Sequence, residues 1–127
     1  MNPDPGAEPA TDAPPVRRFR DPGVAPMAAS LGALRARIDA LDAQIVALLA
    51  ERGRCVRDAT RFKRDPAQVA APQRQAQVFA RVRGLAAAEA PELAVLPDIV
   101  ESAYRALVAG FVAAEQRFFA ETEAIDP

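Results

Sequence analysis

The sequence predicts an all-α fold with three helices per chain, the first of them long. Three observations carry that reading. Apolar residues step by four and three from Leu34 through Ile38, Leu41, Ile45 and Leu48, the period of a helix packed along its length against other helices. No segment shows the strict alternation of a half-buried strand. The periodic stretches break at Asp65-Pro66 and again in the Ala-rich, proline-broken residues 89–96, where a helix stops.

Residues 1–29 hold seven of the twelve prolines and few large apolar side chains, so they read as a disordered tail. Helix 1 begins after Ser30, a good N-cap residue, and runs to about Arg64. At 1.5 Å per residue it is a rod of roughly 50 Å, far longer than the usual ~10–14 residues. The rest of the chain is too short to cover such a rod, so oligomerisation is expected. A loop at residues 65–71 leads to helix 2, where Pro72 suits the first turn and Val78, Phe79, Val82, Leu85 and Ala86 form the apolar face. Helix 3 opens at Pro97-Asp98 and runs to about Thr122, with Val100, Tyr104, Leu107, Phe111, Ala114 and Phe118 on its seam. Residues 30–122 thus form one helical domain, and residues 123–127 a short C-terminal tail.

The stepping on helix 1 continues past Leu48 onto Arg52, Cys55, Ala59 and Phe62, with Lys63 beside it. An arginine on a packing seam loses several kcal/mol of hydration unless an anion meets it. Residues 31–120 carry 13 Lys and Arg against 10 Asp and Glu, a balance of +3. That is too weak and too dispersed for nucleic acid, and suits a small anionic ligand. With no histidine and one cysteine, the chain lacks the usual proton shuttle, the commonest metal ligands and any internal disulfide, so no metal and no cofactor are expected. Cys55 is expected to be a small buried hydrophobe. No apolar run is long enough to span a membrane and no secretory signal opens the chain, so a cytoplasmic setting is the default.

On one continuous helix, Arg52 and Lys63 stand 11 residues apart. At ~100° and 1.5 Å per residue they lie within about 20° of one face and about 16–17 Å apart along the axis. Two long cationic side chains can lean together across that gap around a small dianion. Arg35 is about 25 Å further up the rod and rotated by roughly 100°. It can join such a site only from the partner in an antiparallel helix pair. Arg74 sits just inside helix 2, and Gln116 is a neutral donor near the helix 3 seam. The set is cationic plus amide, without a general base. It suits a reaction that needs only positioning and stabilisation of developing charge, such as a unimolecular pericyclic rearrangement.

These residues resemble the all-helical chorismate mutases and their isochorismate pyruvate-lyase relatives. Leu34-Arg35-Ala36-Arg37-Ile38-Asp39-Ala40-Leu41-Asp42 is similar to the family's opening LRxxIDxLD. Leu48-Leu49-Ala50-Glu51-Arg52, Lys63, Arg74 and Ala114-Glu115-Gln116 follow at the family's spacing. The resemblance implies an intertwined homodimer in which each long first helix serves both active sites. It implies that Arg35 reaches into the partner's site, that Arg52 and Arg74 anchor a substrate carboxylate, and that Lys63 and Gln116 approach the ether oxygen. The substrate it implies is a small dicarboxylate.

Departures from the classical mutase pattern stand at Ala71, Gln75 and Val112, where that pattern often has an acidic residue, a Glu and a Ser. The loop Val69-Ala70-Ala71-Pro72-Gln73-Arg74 and the ending Thr60-Arg61-Phe62-Lys63 look more like the salicylate-forming lyases. The expectation is therefore isochorismate pyruvate lyase with accompanying chorismate mutase activity. A dedicated chorismate mutase of aromatic amino-acid biosynthesis is the enzymatic alternative. A helical dimerisation or regulatory module is the non-enzymatic one.

Overall fold

The computed structural model describes residues 6–125; the extreme ends of the two expected tails, residues 1–5 and 126–127, lie outside them. The described residues are all-helical, without a strand among them. Three long helices carry the fold: α1 (Leu31–Ala59), α3 (Pro72–Glu89) and α4 (Leu96–Ala120), with a short α2 (Pro66–Ala70) between the first two. None of these helices is long and apolar enough to cross a membrane. The chain divides into two compact units, Met1–Ala50 and Glu51–Pro127.

In the first unit, Ser30 starts α1 as its sequence suggests: the Ala33 N–H donates to Ser30 Oγ at 3.1 Å. Residues 6–30 form turns and irregular backbone. Thr11 accepts from the Gly32 N–H at 3.1 Å through its carbonyl oxygen, and the Glu8 carboxylate pairs with Arg35. The apolar stripe of α1 stays open, with Ile38 53 %, Leu41 48 %, Ile45 53 % and Leu48 64 % exposed.

In the second unit, α1 ends at Ala59 and tightens into a 3-10 turn at Thr60–Phe62, short of the expected Arg64. Thr60, 2 % exposed, donates its hydroxyl to the Arg57 carbonyl at 2.6 Å, a local bond that competes with helix continuation. Asp65-Pro66 then starts an element as well as ending one. The Asp65 carboxylate accepts from the Gln68 N–H at 3.2 Å, and Pro66 occupies the first turn of α2, so the expected loop contains a helix. Ala71, in the left-handed region at φ 42° and ψ 63°, separates α2 from α3.

Packing in this unit is chiefly α3 on α4, around buried Val69, Val82, Ala86 and Val108. Leu85, expected on the apolar face of α3, is 52 % exposed. The buried stripe runs through Val82 and Ala86, one helical turn apart, and Leu85 falls off its edge. Cys55 is exposed too, because α1 turns its Arg52, Gly53 and Val56 face inward instead, in line with Thr60 of the 3-10 turn. Arg83 bridges from α3 to Asp98 at 2.8 Å and Glu101 at 3.3 Å on α4, and Glu101 also takes Arg105 at 3.0 Å. The hydrogen bond from Arg105, with the added field of Arg83, holds the Glu101 carboxyl below its ordinary range.

A non-glycine residue in the left-handed region is strained by contact of its Cβ with the backbone. Ala71→Gly relieves that contact and restores some freedom to the unfolded chain, two opposed effects. The expected net result is a gain of about 0.5–1 kcal/mol. Urea titration with an unchanged m value measures it; a loss of stability contradicts the strain.

Candidate active site

Arg52 lies on the inward face of α1, half-buried. Its guanidinium carbon is 5.7 Å from the Tyr104 ring centroid and 5.5 Å from that of Phe111, both on α4. The Phe111 ring approaches closely because residue 53 is glycine: a Cβ there would stand 3.0 Å from Phe111 Cε1 and 3.3 Å from Cζ. Two negative ring faces thus partly replace the water that the arginine loses on packing.

Lys63 is not on α1. It follows the 3-10 turn in extended conformation, φ −100° and ψ 134°, and donates its N–H to the Thr60 carbonyl at 3.1 Å. The one-face arithmetic of a continuous helix therefore does not govern its direction; the early end of α1 does. Lys63 is half-buried.

What relates Arg52 to Lys63 is Glu115, a half-buried carboxyl on α4 one helical turn beyond Phe111. Burial pushes its pKa above the ordinary carboxylate value, and the positive charges of Lys63 and then Arg52 pull it down to a lesser extent. Glu115 thus sits in the field of both cations without a salt bridge of 4 Å or less to either.

The remaining candidates are placed differently. Arg74 is exposed on the first turn of α3 and pairs with no carboxylate among the described residues. Gln116, next to Glu115, is exposed. Arg35 belongs to the first unit, where Glu8 holds it. Of the five residues singled out from sequence, Arg52 and Lys63 are the two whose charges act on Glu115. Tyr104 and Phe111 were legible only as an apolar seam, and Glu115 only as a member of the Ala114-Glu115-Gln116 match, with no role of its own. Its signal was its spacing of four from Phe111, which returns it to the same helix face.

At the departures from the classical pattern, Gln75 is turned inward. Its side-chain amide donates to the Ala70 carbonyl and ties the start of α3 to α2. Val112 is half-buried, and Ala71 offers no polar atom beyond its backbone. An arginine fork and an ammonium group are both groups that bind anions and stabilise developing negative charge.

A family model described as chorismate mutase type II matches residues 34–116. The matched span opens just before Arg35 and closes on Gln116, so it contains all five candidate residues. No curated protein matches the sequence.

Because the folded state raises the pKa of Glu115, it favours the protonated form. Stability from this group is fully present below the unfolded carboxylate pKa and is lost as pH rises through the raised folded value. Glu115→Gln carries no charge at any pH. It is expected to melt above the parent at neutral pH, with the difference closing as pH falls below the ordinary carboxylate value. Thermal melts of both proteins across that range decide it, and a parent that is the more stable at neutral pH contradicts the burial argument.

Proposed function

The chain belongs to the chorismate mutase type II family, and within that family we propose a homodimeric pericyclic enzyme acting on chorismate-type dicarboxylates. Its favoured reaction is cleavage of isochorismate to salicylate and pyruvate, with accompanying rearrangement of chorismate to prephenate. The observation that carries the reading is the pair of half-buried cations, Arg52 and Lys63, inside the matched span.

Both reactions break the same ether C–O bond within one molecule. In the mutase reaction a C–C bond forms as that bond parts. In the lyase reaction a ring hydrogen moves to the departing enolpyruvyl carbon instead. Neither needs an external base, and in both the ether oxygen gathers negative charge in the transition state. Arg52 grips a carboxylate through its fork, assisted by Arg74. Lys63 meets the ether oxygen as charge develops there, and Gln116 donates beside it. Arg35 enters from the partner subunit.

The dimer is supported by the open stripe of α1, where Ile38, Leu41, Ile45 and Leu48 are each about half or more exposed. A row of that kind marks an association surface. The lyase preference is supported by the loop chemistry. Ala71 and Val112 bring no polar side chain, and the Gln75 amide is engaged with its own loop, so three polar contacts of the classical mutase pattern are missing. A dedicated chorismate mutase is the second reading, favoured by the description of the matching family itself.

Presented separately with isochorismate and chorismate, the purified protein is expected to release salicylate and pyruvate from the first and prephenate from the second. Prephenate without salicylate overturns the lyase preference. Lys63→Ala is expected to lower kcat by about 10²–10³, the usual loss on removing a preorganised donor from a developing charge. A Lys63→Ala dimer with normal turnover refutes the assigned role. Sedimentation equilibrium is expected to give twice the chain mass, and Leu41→Arg to reduce it to one. If neither substrate raises the melting temperature and neither is consumed, the protein is a helical association module instead.

A further inference from the structure

Arg52 is the one cation of the candidate site whose surroundings on α4 are resolved down to ring geometry, and those surroundings have a consequence for substrate affinity. A free arginine side chain has four rotatable bonds, so its fork samples many directions before a carboxylate arrives, and ordering it on binding weakens affinity. Here the guanidinium carbon lies 5.7 Å from the Tyr104 ring and 5.5 Å from the Phe111 ring. Contact with two rings restricts the side chain before any ligand binds, and leaves N–H groups available for a planar, two-point grip on a carboxylate.

Gly53 is the third part of the device. Glycine inside a helix is less favourable than alanine by about 1 kcal/mol. A Cβ at this position would come within 3.0 Å of Phe111 Cε1, so the missing side chain is what lets the Phe111 ring reach Arg52. Phe111 and Tyr104 are seven residues apart on α4, two turns of one face, and so present their rings to neighbouring levels of α1.

We propose that Tyr104, Phe111 and Gly53 are positioning residues that hold the Arg52 fork ready for a substrate carboxylate, and thereby set the affinity of the enzyme for its dianionic substrate. Each acts through Arg52. The inference rests on the reading that Arg52 binds a substrate carboxylate.

The test compares steady-state kinetics on whichever of chorismate and isochorismate the parent consumes. Phe111→Leu removes one ring and is expected to raise KM about 2- to 30-fold, the worth of a cation–π contact, with kcat little changed. Phe111→Tyr keeps a ring over the guanidinium and is expected to recover most of that loss. Gly53→Ala is the second variant should Phe111→Leu fail to fold. It is expected to raise KM while keeping or raising the melting temperature, a combination that a merely structural role of Gly53 does not produce. The protein has one tyrosine and no tryptophan, so its near-UV tyrosine dichroism reports on Tyr104 alone. That signal is expected to change in Arg52→Ala and in Gly53→Ala without ligand.

Arg52→Ala separates the two levels of the argument. If it loses affinity strongly while Phe111→Leu and Gly53→Ala keep the parent KM, the positioning role is overturned and the proposed function stands. If Arg52→Ala itself keeps the parent KM, the assignment of Arg52 falls, and the positioning role with it. A drop in kcat at constant KM in the ring variants also overturns the proposal, because it places their effect outside carboxylate binding.

Discussion

A guanidinium on the inward face of a helix must be met by something other than water, and the second unit is arranged around that requirement. Arg52 cannot pack against α4 as an aliphatic residue would, because stripping its charge of hydration is unfavourable by several kcal/mol without a partner. Tyr104 and Phe111 supply ring faces, and Glu115 a carboxyl one turn further on. Gly53 opens the space that brings Phe111 close. Arg52 makes no direct ion pair among the described residues, which is consistent with its proposed role in binding an anion.

The second determinant is where α1 stops. Thr60 is almost wholly buried, and its hydroxyl bonds back to Arg57, so the helix tightens into a 3-10 turn and delivers Lys63 in extended conformation. Asp65 and Pro66 then open α2, Ala71 turns the chain through a left-handed residue, and α3 begins. The ion pairs of Arg83, Glu101 and Arg105 tie α3 to α4 beside this segment, but their exposed heads make each worth little individually. The core of this unit is therefore mostly apolar packing at Val69, Val82, Ala86 and Val108.

Helix α1 runs for 29 residues with none of them buried. The stripe Ile38, Leu41, Ile45 and Leu48 keeps the spacing of a packing seam while staying open in the single chain. The proposed dimer accounts for both facts, since the surface that a lone rod leaves bare is the surface its partner needs.

The all-helical architecture was legible in the residues because a helix period is a local property: Leu34 to Leu48 repeat correctly, Ser30 caps, and Pro72 opens the helix that follows the break. The cations Arg52 and Lys63 were legible for a similar reason, since charge on or beside an apolar seam stands out against the pattern. The end of α1 at Ala59 was not, because it depends on the burial of Thr60, and burial is a property of the packed chain. Leu85 and Cys55 were expected inward and lie outward, because a period names a face without naming which face a neighbour covers. The surroundings of Arg52 were decided in the same way. Tyr104, Phe111 and Glu115 are more than fifty residues from it in sequence, and only the packing of α4 against the end of α1 turns three unremarkable helix positions into the environment of one charge.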